Sequence, residues 1–160
     1  MAMTMQVEGL AEVSQMLQQV GEKAGEVAAK SLYDGAGVMA DAYAEAVSGM
    51  SSEKFFYAHH GKKRLASDEE KAALVGKIGI AKFEKNGSEV LTSVGLSGKL
   101  GYVDIAGHKI AVRLIANVIN KGTDFRQRSG TFSRAVSQAK GKASEAIVSK
   151  AEKLIGEMTK

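Results

Sequence analysis

Val118-Ile119-Asn120-Lys121-Gly122-Thr123, followed through Arg126 and Arg128 to Thr131-Phe132, is the stretch on which the reading of this chain turns. An apolar helical run halts at a glycine, a short basic loop intervenes, and a long amphipathic helix carries the chain onward. Ile110, Leu114 and Val118 space as the helix before the stop, which ends at Asn120-Lys121-Gly122. Gly122 is expected at positive φ, the terminating conformation open to glycine. The last helix is predicted from about Thr131 to Glu157, with Thr131 or Ser129 as its cap. Its stripe is Phe132, Val136, Ala139, Ala143, Ala146, Ile147, Leu154 and Met158. At 1.5 Å per residue it reaches roughly 40 Å. That length implies that part of it covers a sheet or extends toward a neighbour.

Working outward toward the N-terminus, Leu10, Val13, Leu17, Val20, Ala24 and Val27 recur at helical spacing. Ala28, Leu32, Gly35, Met39, Ala42 and Ala46 continue with a shift of one position. The drift predicts a short helix over about 10–20, a break at Gly21 and a longer helix over about 22–47. Gly25, Gly35 and Gly37 would each cost that helix about 1 kcal/mol against alanine. It is therefore expected to bend or to be closely packed there. Residues 48–67 lose the period. Met50, Phe55, Phe56 and Tyr57 stand there among polar residues and His59-His60, and the segment reads as a surface excursion that orders on a partner or packs loosely. Ser67 and Glu70 have the spacing of a capping box and open a short helix through about Val75. Gly79 to Leu96 reads as a β-hairpin on Asn86-Gly87, a favoured two-residue turn, with Phe83 facing Val90 and Ala81 facing Thr92. A third strand is expected from about Leu100 to Ile105. The fold class is α+β: N-terminal helices, a small antiparallel β-sheet built on a hairpin, and a long C-terminal helix. The reading is of a single domain over 1–160 with a flexible excursion at 48–67.

Composition narrows the classes. A hydrophobic content of 44% with 25% charged residues is that of a globular chain rather than a disordered one. No apolar run approaches the ~18 residues that span a bilayer, and no signal peptide is evident, so no membrane is expected as a partner. With Cys 0, thiolate nucleophiles, thiolate metal sites and disulfides are all excluded, which fits a reducing cytoplasm. Gly35-Ala36-Gly37-Val38-Met39-Ala40 matches the letters of a dinucleotide fingerprint but lies inside a helical pattern with no preceding strand, so close helix packing is the better reading. The Gly-Lys pairs lack the rest of a phosphate loop. His59-His60 diverge, and His108 is remote in sequence, so solvated histidines are the better reading. No nucleophile–base pair stands out. The chain is therefore expected to be no enzyme, with no catalytic residue, no metal ligand and no cofactor.

Two basic clusters remain. Lys54, Lys62, Lys63 and Arg64 border Phe55-Phe56-Tyr57, while Lys121, Arg126, Arg128 and Arg134 surround Phe125 and Phe132. Such interleaving serves single-stranded nucleic acid through phosphate pairing and stacking, or a charged contact between subunits. Phe55, Phe56, Tyr57, Arg126, Arg128 and Arg134 are the candidate interface residues.

Several pieces, in order, carry a resemblance. Val7-Glu8-Gly9-Leu10 enters a helix, Val94-Gly95-Leu96 is a strand, and Ile115-Ala116-Asn117-Val118 runs into Gly122-Thr123. Phe132-Ser133-Arg134-Ala135 then opens the long final helix. Together they resemble the tail-completion and head–tail joining (neck) proteins of long-tailed bacteriophages, over most of the chain. That family often has an acidic residue two positions before the Gly-Thr and a proline before the phenylalanine; Asn120 and Thr131 stand there instead. The resemblance implies a non-enzymatic structural virion protein, a homo-oligomeric ring, expected as a hexamer, at the head-proximal end of the tail or in the neck. It implies other tail and head-connector proteins as partners, and DNA passing through the ring without sequence specificity. It also implies a location in the virion, with assembly in the bacterial host cytoplasm. Gly122, Thr123 and Phe132 are the matched positions carried over as structural determinants. The alternative is a basic nucleic-acid-binding protein of phage or bacterial origin.

Overall fold

The structure is a computed structural model that describes residues 3–4, 23–53, 65–86, 89–96, 101–105, 107–123 and 128–158. Its elements run β1 (Met3–Thr4), α1 (Ala24–Ser48), β2 (Ser52–Glu53), β3 (Ala66–Ser67), α2 (Asp68–Val75), β4 (Ile78–Ile80), β5 (Glu84–Asn86), β6 (Glu89–Leu91), β7 (Ser93–Leu96), β8 (Tyr102–Ile105), β9 (His108–Ala111), α3 (Val112–Lys121) and α4 (Thr131–Met158). This is an α+β fold with small sheets and a long C-terminal helix packed against α1. The expected helix over 10–20 and its break at Gly21 lie outside the described residues. β1, β7 and β4 form a three-stranded sheet in that order, with Met3 opposite Val94. The chain divides into two compact units, residues 1–40, 80–95 and 139–160 in the first, 41–79 and 96–138 in the second. The long helices contribute to both.

In the first unit, small residues let α1 and α4 approach. Ala139, Ala143, Ile147 and Ala151 of α4 are buried at four-residue intervals, as are Val27, Ser31 and Gly35 of α1. Val27 and Ala151 centre an apolar cluster completed by Ala24, Ala28, Leu154, Ile155 and Met158. Asp34 and Lys150 form an ion pair at 3.4 Å. Gly35 lies against Ile147, where a Cβ would come within 2.7 Å of its Cδ1 and 2.9 Å of the Ala143 carbonyl oxygen. The close packing expected along α1 is thus found at Gly35. Gly37 has nothing within 4 Å.

The first hairpin, β5–β6, corrects the expected register. Asn86 pairs with Glu89, Lys85 with Val90 and Glu84 with Leu91. Asn86 is therefore a strand residue, and Val90 faces Lys85 instead of Phe83. A slip of two residues keeps every side chain on its face, so alternation in the sequence could not choose between the registers. Thr92 Oγ1 donates to the Ala81 carbonyl at 2.9 Å, and Phe83 meets Tyr33 with ring centroids 5.7 Å apart.

The second unit holds the core of Val47, Ala66, Leu74, Ile105, Val112, Ile115, Ala116 and Ile119. Each Val, Leu or Ile buried there contributes roughly 1.5–3 kcal/mol relative to exposure, an upper estimate because unfolded chains are partly compact. Two expectations are corrected here. The strand ending at Ile105 pairs with β9 as a second hairpin, and Ile110 belongs to that strand, opposite Val103. The helix begins only at Val112, and its buried stripe is Val112, Ile115, Ala116 and Ile119. Leu114 is 56% exposed. The spacing of 110, 114 and 118 imitates a helical face, but Ile110 already spends its side chain on the core beside Val103.

Ser67 and Glu70 form the expected capping box: the Glu70 amide donates to Ser67 Oγ at 3.2 Å, and the Ser67 amide donates to Glu70 Oε2 at 2.9 Å. β2 and β3, at the described ends of the 48–67 segment, pair in parallel, Ser52 opposite Ala66. A parallel pair needs a crossover of about a dozen residues, which the chain between Glu53 and Ala66 supplies. Lys71 Nζ donates to the Met50 carbonyl at 2.8 Å and fixes the chain just past α1.

Candidate interface site

The reversal between α3 and α4 is built on carbonyl groups that a helix end leaves unpaired. Gly122 ends α3 with φ 74° and ψ 174°. The positive φ is as expected, but ψ places it in the extended left-hand region that is essentially glycine's own, beyond the ordinary left-handed helical cap. The Gly122 amide donates to the Val118 carbonyl at 2.9 Å. The returning chain then caps the next two carbonyls. The Ser129 amide and Ser129 Oγ both donate to the Ile119 carbonyl at 3.0 Å. The Gly130 amide donates to the Asn120 carbonyl at 3.3 Å. Ser129 Oγ also accepts from the Thr131 amide at 3.3 Å, so Ser129 is the residue that both closes α3 and caps α4.

Of the residues singled out in the sequence, Arg128 and Arg134 are exposed and come to one place. They border a cleft of about 420 Å³ whose lining also includes the polar Ser129 and Thr131 and the apolar Met50, Leu65, Ala66 and Ile119. Arg134 donates from Nη2 to the Ser129 carbonyl, which holds its guanidinium over the helix start. Thr131 is 5% exposed and its hydroxyl has no hydrogen-bond partner; it does not cap the helix as one reading of the sequence had it. Phe132 packs against the core of the second unit and sets its ring edge on Tyr43 at 5.5 Å. Burial raises the Tyr43 phenol above its ordinary pKa. Thr123 is exposed just past α3. Arg126, Phe55, Phe56, Tyr57 and His59-His60 lie outside the described residues, and His108 is an exposed strand residue. The cleft itself was not foreseen; Ser129-Gly130 before a periodic run was the available signal for its turn.

Among the described residues no group of three histidine, aspartate or glutamate side chains could hold a metal ion. No described helix is long and apolar enough to cross a membrane. Comparison with family models, with curated proteins and with solved structures finds no match to this chain.

Proposed function

We propose that the chain is a structural virion protein of a long-tailed bacteriophage, forming a ring at the head-proximal end of the tail or in the neck and joining tail to head. The observation that carries this reading is the reversal from Gly122 to Thr131. Ser129 and Gly130 make three hydrogen bonds to the end of α3, while Arg128 before them and Arg134 in the first turn of α4 are exposed. Exposed charges stabilise their own fold little and suit a contact with a neighbour. The order of motifs along the chain supports the same reading. The role is non-enzymatic, with copies of the chain, tail proteins and head-connector proteins as partners. DNA would pass through the ring without sequence recognition.

The test is assembly. Light scattering and negative-stain imaging of the purified chain should show a ring, six-fold in the simplest case, alone or on addition of its tail. Arg126→Glu with Arg128→Glu should melt like the parent but fail in assembly and in phage complementation, whereas Phe132→Ala should lower the melting temperature. A charge-reversed chain that assembles and complements normally would remove this turn from the interface. A basic nucleic-acid-binding role is the competing reading, drawn from the net charge of +4 and the two arginine-bearing clusters. It would gain if duplex binding kept a sequence preference at high salt, because contacts to phosphate alone are sequence-blind and salt-sensitive.

A further inference from the structure

The cleft at the start of α4 has more order than a charged surface requires. α4 presents the positive end of a helix dipole there, and its first turn carries no acidic side chain. The amides of Phe132 and Ser133, in that turn, have no intrahelical acceptor within reach. Arg128 and Arg134 flank the same point, and Arg134 commits only one of its donors to the Ser129 carbonyl. Independently of the helix end, Thr131 forms part of the cleft wall, is 5% exposed, and holds an unpartnered hydroxyl. A buried hydroxyl without a partner is a cost that folding normally avoids. The Thr131 oxygen exposes less than 1 Å² to solvent, so a ligand in the cleft meets the Thr131 wall and not the hydroxyl.

From this geometry we infer that the cleft binds a carboxylate on an acidic peptide segment of a partner protein, with an apolar side chain of the same segment against Met50, Leu65 and Ile119. The inference rests on the assembly reading and names the chemistry of its partner. Planar guanidinium groups pair a carboxylate in bidentate fashion, and the free amides of the first turn add donors in line with the dipole. About 420 Å³ suits one anchored side chain and its neighbour. A nucleic-acid strand calls for an extended basic track with stacking rings, and the described lining holds no aromatic residue.

The experiment titrates the full chain with a capped leucine–aspartate–glutamate–leucine peptide, reading the amide resonances of Phe132 and Ser133 together with calorimetry. Saturable binding that shifts both amides is expected. Arg128→Gln with Arg134→Gln should weaken it at least ten-fold. Lys142→Gln with Lys153→Gln, the same charge change on exposed positions of α4, should leave it within two-fold. No saturation at millimolar peptide, or equal loss in the two charge pairs, overturns the inference. Preference for a short oligothymidylate through the same arginines overturns it too and makes phosphate the ligand. Ring formation is scored separately: rings without peptide binding sink this inference alone, and peptide binding by a chain that never assembles sinks the assembly reading alone.

Discussion

Gly122→Ala is the substitution to which the structure assigns the largest cost for the fewest atoms. The backbone there sits at φ 74° and ψ 174°, a region that costs a non-glycine residue about 1–3 kcal/mol. The added Cβ would also lie 2.8 Å from the Arg128 nitrogen and 3.0 Å from its Cα. Those are backbone atoms, so no side-chain rotation relieves the contact. The returning chain must lift, and with it go the two backbone bonds from the Ser129 and Gly130 amides to the Ile119 and Asn120 carbonyls, each worth about 1 kcal/mol. Together these give roughly 3–5 kcal/mol. In a chain of this size about 2–4 °C is lost per kcal/mol, so the melting temperature should fall by some 6–20 °C. Two matched substitutions calibrate the assay. Gly130→Ala, at φ 59° with nothing within 4 Å, should cost about 1 kcal/mol. Gly37→Ala, in open space on α1, should be neutral or stabilise by up to ~1 kcal/mol. Calorimetric melts of the three proteins decide the matter: a Gly122→Ala chain that melts within about 2 °C of the parent, or above Gly130→Ala, refutes the account of this turn.

Gly35→Ala should destabilise by about 1–3 kcal/mol, because the new methyl meets the Ala143 carbonyl at 2.9 Å and helix backbone yields poorly; denaturant midpoints compared with Gly37→Ala measure it. Ser67→Ala should cost about 1 kcal/mol through loss of the α2 cap, and amide exchange should rise at Glu70, whose amide the serine holds. Burial raises the Tyr43 pKa, so the folded state holds that proton more tightly than the unfolded chain. Its contribution is fully present below the ordinary tyrosine value of about 10 and is lost as pH rises beyond it. Stability should therefore decline above about pH 10, and Tyr43→Phe should flatten that decline; equal slopes in melts across the alkaline range would count against it.

What the sequence made legible follows from how local each signal is. The end of α3 at Gly122, the capping box at Ser67 and Glu70, and the two long helices were all readable, since each is written within a few turns of chain. The register of the first hairpin was not, because Phe83–Val90 and Lys85–Val90 pairings satisfy the same alternation. The second hairpin was hidden because Ile110 sits four residues before Leu114 and so imitates a helical face. Ala135 and Ala151 are buried on α4 yet fell outside the expected stripe, because a line of fourth residues drifts about 40° per step around a helix and meets different neighbours along its length. Arg128 and Arg134 were visible as charges near a helix start. Their cleft was not, because Met50, Leu65 and Ile119 reach it from three separate stretches of chain. The parallel pairing of β2 with β3 is equally non-local, two residues on each side.

These facts separate the support of the turn from the groups it displays. Gly122 and Ser129 act through backbone geometry and through bonds to the Val118 and Ile119 carbonyls, which are anchored in turn by the buried stripe of α3. Arg128 contributes its backbone to that arrangement but leaves its side chain exposed, and Arg134 gives up a single donor. A change at Gly122 or Ser129 should therefore register first in melting and only afterwards in recognition. A change in the two guanidinium groups should do the reverse, since exposed charges add little to stability. Thr131 lies between these cases. Its hydroxyl is unpaired inside the fold, so deleting it should spare stability. That division gives each residue of the turn its own signature, and a partner that uses the cleft must respect all three.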